Sequence, residues 1–73
     1  MDRQVYRDLL PLVNDKEQYD RLQSYIAAVI ESHRNRLESE KDPLLIREYQ
    51  GSIYELRKMQ RLREATLVYA GEK

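Results

Sequence analysis

Two long stretches of helix-patterned sequence, separated by one proline break, constrain the fold of this chain more than any other feature. Apolar residues recur at steps of three and four over residues 15–39 and again over residues 43–70, which is the spacing of one helix face. Asp42 is a favourable N-cap and Pro43 a favourable first helical residue, so a new helix begins there. Because only a few residues join the two helices, we expect an antiparallel helical hairpin.

A shorter helix is predicted ahead of the hairpin. Tyr6, Leu9 and Leu10 have helical spacing, and Pro11 disfavours the helical conformation of the residue before it. These signals predict a helix over residues 2–10. A helix of this length is not stable alone, so its apolar face is expected to dock on the hairpin or on another copy of the chain.

The predicted fold class is therefore all-α, with a short N-terminal helix packed on a long antiparallel helical hairpin. The chain of 73 residues is interpreted as one domain, residues 1–73. A domain of this size buries only about 60% of the surface of its unfolded chain and is marginally stable without a staple or a partner. The chain has no cysteine and hence no disulfide, so we expect it to form oligomers.

Composition and charge narrow the classes of function. The 13 basic and 13 acidic side chains cancel, so strong attraction to duplex nucleic acid or to an anionic membrane is not expected. No apolar run approaches the length of a membrane span, and the absence of cysteine suits a reducing compartment. The sequence predicts a soluble cytoplasmic protein without a membrane partner.

The side chains that carry most enzyme chemistry are missing or isolated. There is no glycine-rich phosphate loop and no cysteine nucleophile, and the only histidine is His33. His33 lies on the apolar stripe of the first long helix, where a histidine is more often a packed side chain than a metal ligand. We expect no catalytic residue, no metal site and no cofactor.

The second long helix has apolar residues on a second face. Its main stripe fades at Gln60 and Arg63, and the run between residues 57 and 63 carries four cations and no acid. A helix that is apolar on two faces is usually buried on two faces, although a solvated charged face is the plainer interpretation of the cations. The predicted partner-binding surface comprises Tyr54, Arg57, Lys58, Arg61, Leu62, Ala65 and Tyr69.

Two further residues stand out. Gly51 lies in the middle of a predicted helix, where glycine costs about 1 kcal/mol relative to alanine. We interpret it as a close-packing position for another helix, with a hinge or a ligand contact as alternatives. All six aromatic residues are tyrosines, which suit interfaces, and Tyr6 is a candidate for stacking on a ligand.

The pattern Gln-Gly-x-Ile-x-x-Leu-Arg at residues 50–57 resembles one found in small α-helical proteins of tailed bacteriophages. The similarity covers roughly residues 44–64, and Tyr49 stands where these proteins commonly have an aliphatic residue. The resemblance implies a viral protein of the virion-assembly type, acting in the host cell cytoplasm or in the virion. It also favours packing as the role of Gly51.

Three functions remain open at this point. The first is a non-enzymatic, oligomeric structural or assembly component that binds itself or a larger phage protein. The second is an oligomeric sponge for a cyclic nucleotide or similar signalling ligand, with Tyr6 or Tyr54 on the base and Arg57, Lys58 or Arg61 on the phosphates. The third is an inhibitor that binds host machinery.

Overall fold

The computed structural model describes residues 2–71 and confirms the all-helical class. Four helices follow one another, and the described residues contain no strand. The helices are α1 (Arg3–Val13), α2 (Lys16–Ser39), α3 (Pro43–Met59) and α4 (Leu62–Tyr69). The structure therefore has one helix more than the sequence predicts, and the ends of α1 differ from the prediction.

The predicted end of α1 at Pro11 is wrong, because the helix continues to Val13. Pro11 removes the donor that would bond the Arg7 carbonyl, and in a helix interior this costs about 3 kcal/mol. Val13 is only 1% exposed, and burying such a side chain contributes about 1.5–3 kcal/mol. The last turn of the helix still closes, with the Asn14 N–H donating to the Leu10 carbonyl at 3.0 Å. Tertiary packing thus overrides the local effect of the proline.

The ends of α2 and the start of α3 follow local rules. Asp15 caps α2 by accepting a hydrogen bond from the Gln18 N–H at 3.1 Å. Asp42 caps α3 by accepting from the Leu44 N–H at 2.9 Å, and Pro43 is the first helical residue. These boundaries agree with the sequence to within one residue because short-range hydrogen bonds determine them.

The prediction of one continuous helix over residues 43–70 is wrong, since the helix breaks at Gln60 and Arg61. Neither residue is a glycine or a proline, and Arg61 makes no side-chain capping bond to α4. Beyond the break, α4 packs against α1. We call residues 59–63, where the chain changes direction, the corner.

Two side chains of α2 satisfy the backbone groups that the corner exposes. In an uninterrupted helix the Arg63 N–H would donate to the Met59 carbonyl. Instead, the Arg63 N–H donates to the Tyr19 hydroxyl and the Gln23 amide nitrogen donates to the Met59 carbonyl, both at 3.0 Å. Both backbone groups of this lost helix bond therefore bond to α2 instead, which supports a break without a helix-breaking residue.

Packing between α2 and α3 forms the larger of two small cores. Ile26 and Ile30 of α2 meet Ile53 of α3, and all three are buried. Polar contacts flank this core, with the Arg36 guanidinium donating to the Tyr49 hydroxyl at 3.3 Å. Val13 of α1, Thr66 of α4 and the adjacent Ala70 are also buried, and we call these residues of the packed pair α1 and α4 the second core.

The four helices form an elongated body. The Cα atoms span 44 × 25 × 15 Å, and the radius of gyration is 14.9 Å. A compact domain of this length has a radius of gyration of about 11 Å. The elongated shape leaves much of the surface exposed to solvent and limits the core to a few residues.

The interpretation of Gly51 as a close-packing position is wrong within the described chain. A Cβ atom built on Gly51 would meet no heavy atom within 4 Å, outside the backbone of its own turn. The residue is exposed on α3, so its helix penalty is not offset by any packing advantage in this protomer. Glycine is required instead at Gly71, which ends α4 with a φ of 80°.

We predict that Gly51→Ala stabilises the protein by about 1 kcal/mol, because alanine restricts the unfolded chain and finds open space in the folded one. Chemical denaturation followed by circular dichroism measures the change. Gly71→Ala is the matched control and should destabilise the protein by a similar amount, because its φ is unfavourable for a side chain. A loss of stability with Gly51→Ala would contradict the open environment described here.

We further predict that Thr66→Val raises the free energy of unfolding by about 1 kcal/mol. The Thr66 side chain is fully buried, and its hydroxyl oxygen has no hydrogen-bond partner within residues 2–71. Valine keeps the shape and removes the unpaired polar atom. Thr66→Ser, which keeps the hydroxyl and removes the methyl group, should destabilise. Urea denaturation of both variants is the measurement, and a destabilised Thr66→Val would contradict the prediction.

Candidate interaction surface

A groove between α1 and the corner is the most apolar concave surface among the described residues. Its volume is about 450 Å³, in the range of ordinary binding clefts. We call it the α1–α4 groove. It is lined by Tyr6, Leu9, Glu55, Lys58, Met59, Arg61, Leu62 and Ala65.

The groove exists because the chain turns at the corner. Tyr6 and Leu9 lie three positions apart on α1 and therefore share one face. Leu62 and Ala65 have the same spacing on α4, and the turn at Arg61 carries them opposite α1. A straight helix over residues 43–70 would not bring these two pairs together on the same chain.

Exposed apolar side chains extend the surface beyond the groove. A second, shallower depression on α4 shares Arg61 and Ala65 with the groove and adds Val68 and Tyr69. The Val68 and Tyr69 side chains are at least half exposed. The Tyr69 ring packs on the Tyr6 ring with centroids 5.1 Å apart and an interplanar angle of 34°. The two depressions thus form one continuous apolar surface along α1 and α4.

The cationic side chains on the rim of the groove each pair with a nearby carboxylate of the same chain. The Lys58 ammonium lies 3.2 Å from Glu55 and 4.5 Å from the centre of the Tyr54 ring. The Arg61 guanidinium lies 3.8 Å from Glu64. These exposed pairs contribute little to stability, but they offset the positive charge predicted for this region. The rim therefore suits a partner of mixed charge better than a polyanion.

The structure brings most of the predicted partner-binding residues together. Lys58, Arg61, Leu62 and Ala65 line the groove, and Tyr69 lies beside it. Tyr54 contacts Lys58 but does not line the groove. Arg57 is exposed and lines neither depression. Whether these residues bind a partner stays a prediction.

Sequence reasoning missed three residues that line the groove. It predicted Tyr6 as a ligand-stacking side chain, and Tyr6 does line the groove. Leu9, Glu55 and Met59 line the groove. Leu9 lies on the apolar face of α1. The need for another helix to cover that face is the sequence signal that could have predicted it. Tyr6 is in the groove as predicted, but one side of its ring already packs on Tyr69. Less of the Tyr6 ring is free to stack on a ligand than the sequence suggests.

Another depression, separate from the two on α1 and α4, runs between α2 and α3 beside Gly51. Val29, Leu56 and the half-buried His33 are among its lining residues. The Nδ1 atom of His33 is buried without a partner in the described part of the chain, and its ring lies 5.5 Å from that of Tyr49. Residues 2–71 contain no group of three side chains that would hold a metal ion.

Two side chains have shifted pKa values, and both are exposed cations outside the α1–α4 groove. The hydrogen bond to Asp20 raises the pKa of Lys16, with a further contribution from the charge of that carboxylate. The hydrogen bond to the Tyr49 hydroxyl likewise raises the pKa of Arg36. Both groups are charged at neutral pH with or without this shift, and they act here as surface contacts between side chains.

Among the described helices, none has the length and apolar character that crossing a membrane requires. No protein-family model, no curated protein and no solved structure matches the chain.

Proposed function

We propose that this protein acts by protein–protein interaction, as a small oligomeric structural or assembly component. The observation that carries the proposal is the excess of accessible surface left by the elongated arrangement of the helices. The antiparallel hairpin of α2 and α3 serves as the platform, and the α1–α4 groove with its apolar extension serves as the contact surface.

The excess accessible surface area is close to the area that one partner buries in a standard protein interface. The chain has an accessible surface of 5737 Å². A compact monomer of 8.8 kDa exposes about 4,800 Å², so the excess is about 900 Å². A standard interface buries about 800 Å² on each partner. Association through one face would therefore bring the exposed area to that of an ordinary globular protein.

The small core also supports association as the function, because it limits the stability of the isolated chain. Only five apolar residues of the described chain are buried, which are Val13, Ile26, Ile30, Ile53 and Ala70. Any partner that binds the folded state alone stabilises it by mass action. An assembled protein would thus gain stability that its own two cores do not supply.

The resemblance at residues 50–57 extends the proposal to a biological setting. We place the protein among small helical proteins of tailed bacteriophages, acting in the host cytoplasm or in the virion. Its partners in that setting are further copies of itself and a larger phage or host protein. An inhibitor of host machinery would use the same apolar surface.

One observation favours a second candidate, the binding of a cyclic nucleotide or similar signalling ligand. Tyr6, Lys58 and Arg61 line the same groove, which combines an aromatic ring with two cations. Glu55 and Glu64 already pair with those cations, and this favours the first proposal. A thermal-shift panel of cyclic mono- and dinucleotides tests the alternative, and the absence of stabilisation by every member would reject it.

We predict that Met59→Lys/Val68→Lys weakens self-association by about tenfold or more, because it places two charges on the apolar surface. Both side chains are already substantially exposed, so the monomer should stay folded. Size-exclusion chromatography with light scattering from about 1 to about 100 μM is the measurement.

Tyr25→Lys/Leu44→Lys is the matched control, since it replaces two other exposed apolar side chains of α2 and α3. The control should assemble like the wild type. A folded wild-type protein that stays monomeric at about 100 μM would contradict self-assembly. Equal weakening by both double variants would contradict the location of the contact surface.

A further inference from the structure

The corner between α3 and α4 is not required by its local sequence. Met59, Gln60, Arg61 and Leu62 all belong to the residue types with the highest helix propensity. Arg61, at the N-cap position of α4, makes no side-chain hydrogen bond that would favour a helix start. Local preference therefore favours a straight helix through this segment.

Two contacts with α2 stabilise the bend. Tyr19 and Gln23 lie one turn apart on α2, and they bind the Arg63 N–H and the Met59 carbonyl respectively. These two groups would bond to each other in a straight helix. The bent and straight forms thus both satisfy these backbone groups, and the bend depends on α2 and on the packing of α4.

The helix α4 packs against α1 within the chain. Thr66 of α4, the adjacent Ala70 and Val13 of α1 are all buried. With eight residues, α4 cannot persist as an isolated helix and needs its site on α1. The site is complementary to α4 by sequence, whichever copy supplies the helix. Exchange of an identical element is a low-cost route to a dimer.

We infer that α4 is an exchangeable arm whose partner is a second copy of this chain. The corner straightens, α3 and α4 become one helix from Pro43 to Tyr69, and each α4 occupies the α1 site of the other molecule. Reciprocal exchange closes a twofold dimer. This inference rests on the proposed assembly function and names its partner. The exchange re-forms the buried α1–α4 contact between two copies and leaves the exposed apolar surface free for further association. The α1–α4 groove then becomes composite, with Tyr6 and Leu9 from one copy and Leu62 and Ala65 from the other.

Variants at the corner test the balance between the two forms. Tyr19→Phe/Gln23→Ala removes both contacts that support the bend and should raise the dimer fraction about tenfold, with increased helicity by circular dichroism. Tyr25→Phe/Gln18→Ala makes the matching changes elsewhere on α2 and should leave the dimer fraction unchanged. Equal dimer fractions in these two folded variants would overturn the inference.

Arg61→Gly shifts the balance in the opposite direction. Glycine is tolerated at the corner, but it penalises a straight helix at this position. We expect its dimer constant to fall about fivefold to tenfold relative to the wild type. A dimer fraction that rises or stays the same would overturn the inference, and this readout is independent of the stability of the α2 variants.

Cross-linking identifies which copy supplies α4. The chain has no cysteine, so Tyr6→Cys/Tyr69→Cys introduces the only two thiols, at positions whose native rings lie 5.1 Å apart. A short bis-maleimide is applied to the isolated dimer fraction, with and without the corner variants. Exchange predicts covalent dimers on denaturing gels, because each linked pair joins two chains. Dimers that yield only intramolecularly linked monomers would overturn it.

The failures of the two proposals are distinguishable. Wild-type assembly with intramolecular cross-links rejects the exchange and supports the proposed function. A wild-type protein that never assembles rejects self-assembly as the function. In that case, dimerisation of Tyr19→Phe/Gln23→Ala with intermolecular cross-links still supports the exchange, and a monomeric variant rejects it as well.

Discussion

The paired hydrogen bonds from Tyr19 and Gln23 to the corner are the contacts on which the rest of this structure depends. They compensate the backbone groups of Arg63 and Met59 that a helix break would otherwise leave to solvent. With those groups satisfied, α4 turns back and packs on α1. The second core at Val13 and the α1–α4 groove follow from that turn.

The elongated shape is the other constraint, and it links stability to the proposed function. The Cα atoms span 44 × 25 × 15 Å, and a small body of this shape encloses few side chains. The same geometry that limits the core of the described chain to five buried apolar residues also leaves an area of interface size exposed. Under the proposed function, a partner would cover part of that area.

Several features were accessible from sequence because they depend on neighbours in the chain. Helical periodicity predicts the all-α class, and Asp42 with Pro43 marks the start of α3 through local hydrogen bonding and a preset backbone angle. The second apolar face of the C-terminal helix led to Leu62 and Ala65, and its cation-rich run led to Lys58 and Arg61; the structure collects all four in one groove. The companion residue Leu9 was missed because α1 and α4 are distant in sequence.

Two predictions failed because they were made from the local sequence, whereas the surroundings of each residue in the folded chain decided the outcome. Pro11 does not end α1, because burial of Val13 offsets the lost hydrogen bond. Gly51 does not mark close packing within the protomer, because nothing lies over it.

The sequence by itself determined that the chain is helical, where the first break falls and which faces are apolar, since these follow from propensity, capping and periodicity. Only the tertiary structure decided that residues 43–70 bend at Gln60 and Arg61. The reason is that the two bonds stabilising this bend come from α2, some 40 residues away in the chain.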